Sequence, residues 1–112
     1  MVTHDDLMDK HHYLLHKCGY LEIQEGWYPL VDNLCSELTR LIEQGHPRIH
    51  AVQVKSKFGG LRFYTEDDPS AAQVQVITDA ERVSEHTCET CGKPGKQTIK
   101  QGWVYSACEE HK

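Results

Sequence analysis

The chain of 112 residues has no run of about 18 apolar residues, so the sequence offers no candidate for a membrane-spanning helix. Its first ten residues, MVTHDDLMDK, have neither the basic start nor the apolar stretch of a signal peptide. The expectation is a soluble, cytoplasmic protein with no membrane contact. There is no Walker loop, no Gly-x-Ser-x-Gly element and no dinucleotide-binding glycine fingerprint. No histidine stands with a nucleophile motif. No enzyme is therefore expected. Internal repeats and low-complexity tracts are also missing. The length suits one domain with at most a small appended module. A chain of this size buries only a modest core, which a metal or a partner would supplement.

Acidic residues outnumber basic ones, and the net charge is -5. That balance argues against indiscriminate binding to phosphate backbones. The distribution is uneven. Residues 1–47 carry eight acids and three bases, whereas residues 48–64 carry Arg48, Lys55, Lys57 and Arg62 and no acid. Residues 65–87 return to six acids and one base, and residues 88–112 hold four lysines against three glutamates. The acidic segments pattern as helices and the basic ones as hairpins. A polarised molecule would follow, unless each charge simply sits on a solvated face.

Thr3 and Asp6 can cap a first helix whose face is Leu7, His11, Leu14, Leu15 and Cys18, with Gly19 as its stop. A connector containing Gly26-Trp27 leads to Pro29, which suits the first turn of a second helix. Leu30, Val31, Leu34, Cys35, Leu38, Leu41 and Ile42 form its apolar stripe, closed by Gly45 and Pro47. The period then changes. His50, Val52 and Val54 alternate with Ala51, Gln53 and Lys55, as in a strand with one buried face. Gly59-Gly60 is placed to turn the chain into a second strand, Leu61 to Thr65. Asp68 and Pro69 can open a third helix with Val76, Ile77, Ala80 and Val83 on its face. Residues 74–77 are β-branched enough to offer a strand instead. The Ala71-Ala72 pair and the later Asp-Ala-Glu-Arg run favour the helix.

The five cysteines sit in a chain read as intracellular, where thiols and metal sites outnumber disulfides. Cys18 and Cys35 lie on apolar stripes and are expected to pack as small hydrophobes. Cys88 and Cys91 have Cys-x-x-Cys spacing. After sixteen intervening residues, Cys108 and His111 have Cys-x-x-His spacing. Two residues between ligands let a tight turn aim both side chains at one ion. Three thiolates and an imidazole complete a tetrahedron around one structural Zn(II) and leave no open position. A thioredoxin-like redox pair is disfavoured because its βαβ surroundings are missing. Lys96 to Ile99 and Trp103 to Tyr105 can pair as a hairpin that returns the second ligand pair to the first. With Ile99, Trp103, Val104 and Tyr105 as its main apolar groups, this segment cannot fold alone. Zinc would stabilise it by about 10 kcal/mol. His11, His12 and His16 in the first helix are a weaker metal candidate, and ordinary surface histidines are the default. His46 and His50 flank a turn and carry no expected chemistry.

KSKFGGLRFY, residues 55–64, invites comparison with the RNA-stacking strand of an RRM domain. The register fails. Phe58 falls where glycine belongs, and Arg62 where an apolar residue belongs. Alternation puts Leu61 and Phe63 on one face, towards the core, and Arg62 and Tyr64 on the other. The outer face remains a contact candidate. Lys55, Lys57, Phe58, Arg62 and Tyr64 would form it, joined by Lys93, Lys96 and Lys100 from the zinc segment.

Gly26-Trp27 before a helix, then KFGGLRFY, then TCETCGKPG, then a Gly-Trp pair and CEEH resembles a family of small, mostly uncharacterised proteins of bacteriophages, prophages and bacteria. The resemblance covers residues 26–111 and leaves the histidine-rich start outside it. It implies a zinc-ribbon-like tail held by Cys88, Cys91, Cys108 and His111, and no known reaction or substrate. The expected fold is α+β. Residues 1–87 form two N-terminal helices, a β-hairpin and a third helix, and residues 88–112 form a small zinc-ribbon-like module. The expected function is a zinc-stabilised protein-interaction module with a partner of unknown identity. If the gene is a phage's, it would act in the bacterial cytoplasm as an inhibitor of a host defence complex, such as an anti-CRISPR. The alternative is a nucleic-acid-binding zinc ribbon that uses the basic aromatic hairpin.

Overall fold

Thr3 opens the first helix as its sequence predicts. Its hydroxyl accepts from the Asp6 amide, and the Asp6 carboxylate accepts from the Thr3 amide. This reciprocal cap satisfies two donors that helix geometry leaves orphaned. The structure, a computed structural model, describes residues 2–112. Helix α1 spans His4–Lys10 and α2 spans His12–Leu15. A 3-10 turn at His16–Cys18 ends at Gly19, which has a φ of 76°. The expected single helix is therefore broken, and the break is His11. Its backbone leaves helical geometry (φ -111°, ψ 32°), and its buried ring lies 2.7 Å from the Asp32 carboxylate. The hydrogen bond from His11, helped by Lys10, holds the Asp32 carboxyl below the usual range despite the opposing cost of burial.

Helix α3, Tyr28–Glu43, carries Pro29 in its first turn and buries Val31, Leu34, Cys35, Leu38 and Leu41. It is the stripe expected from its 3.6-residue period. Strands β1, Ala51–Lys57, and β2, Gly60–Thr65, then form an antiparallel hairpin. Its buried residues differ from simple alternation. Ala51 and Val54 are buried, while Val52 is exposed. The register passes from Ala51 opposite Thr65 to Gln53 opposite Tyr64, so Val52 is the extra residue of a bulge. One inserted residue moves the inward face from odd positions before the bulge to even ones after it. The turn is also one residue earlier than expected. Lys57 pairs with Gly60, and the two turn residues are Phe58 and Gly59, with φ of 54° and 78°. Positive φ at both positions matches the twist of a two-residue hairpin. Leu61 and Phe63 do face the core, and Tyr64 faces out.

Helix α4, Ala71–Ser84, confirms the helical choice over residues 74–77. Its cap is Ser70 rather than Asp68. The Ser70 hydroxyl accepts from the Gln73 amide, and the Gln73 side chain accepts from the Ser70 amide. Gln73, Ile77, Ala80 and Ser84 are buried, whereas Val83 is exposed. Polar members of that face have a purpose. A two-stranded sheet leaves unpaired edge amides. On β2, the Leu61 amide donates to Ser84 Oγ (2.8 Å) and the Phe63 amide to Glu81 Oε2 (3.1 Å). On β1, the connector supplies Glu22, whose amide and carbonyl bond Val54 and Ser56.

Strands β3, Lys96–Lys100, and β4, Trp103–Ala107, form the second hairpin, turning at Gln101-Gly102. The class is α+β, with two small antiparallel sheets. The main core draws on the segment from Leu7 to Ala80, and a separate small cluster joins Cys88, Ala107 and Cys108 with Tyr105 packed on it. Among the described residues, no helix is long and apolar enough to cross a membrane.

Candidate metal centre and contact face

Cys88 and Cys91 lie on the turn after α4, and Cys108 and His111 on the turn after β4. One ligand atom from each lies within 4.8 Å of the others, so this set could hold a metal ion. The spacings are specific. Cys91 Sγ is 3.7 Å from Cys108 Sγ, and His111 Nδ1 is 3.7 Å from Cys88 Sγ and 3.2 Å from Cys108 Sγ. Tetrahedral bonds of zinc length place two sulfurs about 3.8 Å apart and a sulfur and a nitrogen about 3.5 Å apart. The donors are thus already arranged at coordination spacing.

Backbone amides prepare the thiolate. Burial pushes the Cys88 thiol up, but the amides of Cys108, Cys91 and Thr90 outweigh it and hold the thiol at about 6. Cys91 moves the other way. The Lys93 amide lowers it, and burial and the neighbouring Cys88 and Cys108 sulfurs raise it by more. Within one group of thiols the two shifts thus run in opposite directions. The penultimate position of His111 does not leave it loose. Its amide donates to the Cys108 carbonyl (3.1 Å), and Lys112 pairs with Glu109 across the same turn (2.8 Å). Cys35 is fully buried, and burial pushes its thiol far up. Cys18 is half-buried and donates to the Leu15 carbonyl. Both are packing residues, as expected.

Gly26 and Trp27 join this site to the helical core. The Gly26 amide donates to the Glu89 carbonyl (2.8 Å), and the Trp27 indole N–H donates to the Thr87 carbonyl (2.9 Å). The KFGG turn makes the second junction. Gln97 Nε2 donates to the Phe58 carbonyl (2.9 Å), and the Ser106 hydroxyl donates to the Gly59 carbonyl. The buried Glu89 carboxylate accepts from the Ser106 amide (2.8 Å). The distinctive motifs therefore meet along one seam. Spacing alone does not show this, because every partner is remote in sequence.

The two hairpins also carry the contact candidates. Lys55 lies over the Tyr64 ring (5.9 Å) and Lys57 over Phe58 (5.6 Å). Lys93 pairs with Glu110. Among the described residues, Lys55, Lys57, Arg62, Lys96 and Lys100 have no carboxylate within 4.0 Å. Phe58 is 65 % exposed, and Trp103 and Ile99 are 77 % and 72 % exposed. Sequence reasoning treated the last two as apolar filling of the metal module. A two-stranded ribbon beside a small cluster of Cys88, Ala107 and Cys108 has no apolar layer deep enough to cover them. Between the hairpins lies a groove of about 810 Å³, lined by Leu21, Ile23, Lys57, Phe58, Trp103 and Tyr105, with Glu22 and Glu89 also on its wall.

Phe58 keeps a positive φ that side chains with a Cβ disfavour by about 1–2 kcal/mol. Asparagine tolerates this region, and the exposed ring has little packing to lose. Phe58→Asn should therefore raise stability by about 0.5–1 kcal/mol, read as a higher urea midpoint with unchanged slope. An unchanged or lower midpoint would show that the ring's contacts outweigh the strain. No family model, curated protein or solved structure matches this chain, so its function is argued from its own residues.

Proposed function

We propose that the protein is a non-enzymatic interaction module, stapled by one Zn(II) at Cys88, Cys91, Cys108 and His111, that docks a partner protein through the groove between its two hairpins. Three thiolates and one imidazole suit zinc among the common divalent ions, and four protein donors make its role structural. The observation that carries the reading is the groove. Phe58 occupies a strained backbone position at its edge and leaves its ring in solvent, opposite an equally exposed Trp103. The exposed ring adds little burial to the fold, whereas aromatic anchors of this kind dominate protein interfaces. The uncompensated lysines around the tips suit an acidic rim on the partner.

A single-stranded nucleic acid is the second reading, favoured by the same lysines beside stackable rings. The Glu22 and Glu89 carboxylates on the groove wall and the net charge of -5 weigh against a phosphate chain lying there. A narrower form of the first reading, an inhibitor of a host defence complex such as an anti-CRISPR, rests on the resemblance to phage proteins and on no feature of the fold.

The test is a pull-down from the host lysate with the wild type, Phe58→Asn and Trp103→Ala. A protein retained by the wild type and lost, roughly 10-fold or more, by both variants is the expected result. Retention of the same proteins by all three would overturn the groove assignment. A shift of single-stranded DNA or RNA at low salt that both variants abolish would replace the protein reading with the nucleic-acid one.

A further inference from the structure

The base of the first hairpin carries a second set of ligand atoms, at the opposite end of β1 and β2 from Phe58. His50 Nδ1 lies 3.1 Å from Asp67 Oδ2 and 3.9 Å from Glu66 Oε1, and the three atoms fall within 4.8 Å of one another. Antiparallel pairing brings them together. Beyond the bulge, the ladder that sets Ala51 opposite Thr65 continues as a hydrogen bond from the Glu66 amide to the His50 carbonyl (3.3 Å). A nitrogen and two oxygens bound to one divalent transition ion stand about 3.0–3.4 Å apart. The His50–Asp67 spacing already matches that, and the other two pairs lie within 4.8 Å.

Two further features point to a cation here. The Lys17 ammonium already sits on Glu66 Oε1, and the two carboxylates raise the affinity of that amine for its proton. It places a positive charge against the Glu66 carboxylate. His16 is the second feature. Its ring meets His50 edge-on at 5.4 Å, and its Nδ1 donates to the His12 carbonyl at 3.0 Å. That bond fixes the tautomer and leaves Nε2 as the lone-pair nitrogen, the form in which imidazole binds metal. The His50 ring is held between His16 and Tyr13 and is largely out of solvent.

We propose that His50, Glu66 and Asp67, with His16 Nε2 as fourth donor, form a second site, for an exchangeable divalent transition metal. The mixed imidazole and carboxylate set suits Zn(II), Ni(II) or Co(II) and disfavours calcium, which prefers oxygen alone. Binding moves Lys17 off Glu66 and the proton off His50 Nδ1, so the site is weaker than the thiolate site and fails at low pH. The ion would tie the turn after α2 to the base of the hairpin. His11, His12 and His16, the candidates from sequence, do not gather. His11 is committed to Asp32, and among the described residues neither His12 nor His16 lies within 4.8 Å of all three ligand atoms; His16, whose ring meets His50, would turn in to serve as the fourth donor.

The experiment is calorimetric titration of Zn(II) into full-length protein that already holds one zinc. One further equivalent is expected near neutral pH and none at pH about 5, where histidine is protonated. His50→Ala should weaken that equivalent by at least about 10-fold, as losing a metal ligand or its support does. Lys17→Gln removes the competing ammonium and should tighten it several-fold, and this surface change tests the site independently of any folding defect in the histidine variant. The absence of a further equivalent, or an affinity that neither variant changes, would overturn the proposal. So would a second equivalent lost in His12→Ala and kept in His50→Ala.

Discussion

With zinc at the proposed Cys88, Cys91, Cys108 and His111 site, chelation is expected to unfold residues 88–112 while the preceding helices and hairpin stay folded. The asymmetry comes from where the apolar surface is buried. The main core joins sixteen buried residues, none beyond Ala80. The metal module has Cys88, Ala107 and Cys108, two of them ligands, and its largest apolar side chains, Ile99 and Trp103, lie in solvent. Nothing in that module can offset the conformational entropy of ordering some two dozen residues, at about 1–2 kcal/mol each for the backbone. A structural zinc at the proposed site would supply about 10 kcal/mol, far more than the module's own apolar burial. Helical circular dichroism should therefore change little on chelation. Amides paired across β3 and β4, such as those of Thr98 and Tyr105, should lose their protection from hydrogen exchange. Cys108→Ser should give the same pattern without chelator. A chelated protein that keeps this protection would show that the seam, rather than the ion, holds the module.

The cluster that could hold a metal ion, Cys88, Cys91, Cys108 and His111, was legible in the sequence because ligand spacing is a local mark. Two residues between ligands is a property of the turn and needs no knowledge of the fold. The Thr3 cap and the α3 stripe were legible for the same reason, since each depends on neighbours within four residues. Errors gathered where a residue answers to something distant. Gly60 looks like half of a turn, yet it is a strand residue whose added Cβ would meet the Arg62 guanidinium at 2.9 Å. Val52 fits a buried alternation, and the bulge that exposes it appears only when the partner strand is shorter by one residue. His11 lies on the apolar face of its helix and breaks that helix to reach Asp32, twenty-one positions away. Hairpin arithmetic would have found the His50, Glu66 and Asp67 group. Residues near-equidistant from the Phe58-Gly59 turn face each other, and the bulge at Val52 shifts the partner of His50 by one, from Asp67 to Glu66.

Gly26→Ala should be the most damaging single substitution outside the metal ligands. A Cβ at residue 26 would stand 2.4 Å from the carbonyl oxygens of both Cys88 and Glu89. Those oxygens belong to the turn that presents the first two ligands, so they cannot rotate away as a side chain would. The contact is reinforced from the other side, where a Cβ on Gly92 would stand 2.9 Å from the Gly26 carbonyl. Two backbones are packed here at a separation that admits no side chain. Relief requires the connector and the metal turn to part, which breaks the Gly26 bond to Glu89 and takes the Trp27 indole from Thr87. Overpacking usually costs about 1–3 kcal/mol, and a clash against backbone with two lost hydrogen bonds belongs above that range. Gly45→Ala is the control. Its φ of 103° makes alanine strained, but nothing lies within 4 Å of the new methyl. It should cost about 1 kcal/mol. Gly26→Ala should cost about 3 kcal/mol or more, shift Trp27 emission towards the red, and leave metal binding at the proposed site intact, because its four donors come from the two turns of residues 88–112 alone. Equal losses in the two variants would mean that backbone strain accounts for both. The Gly-Trp motif would then mark a turn rather than the seam on which the metal module is seated.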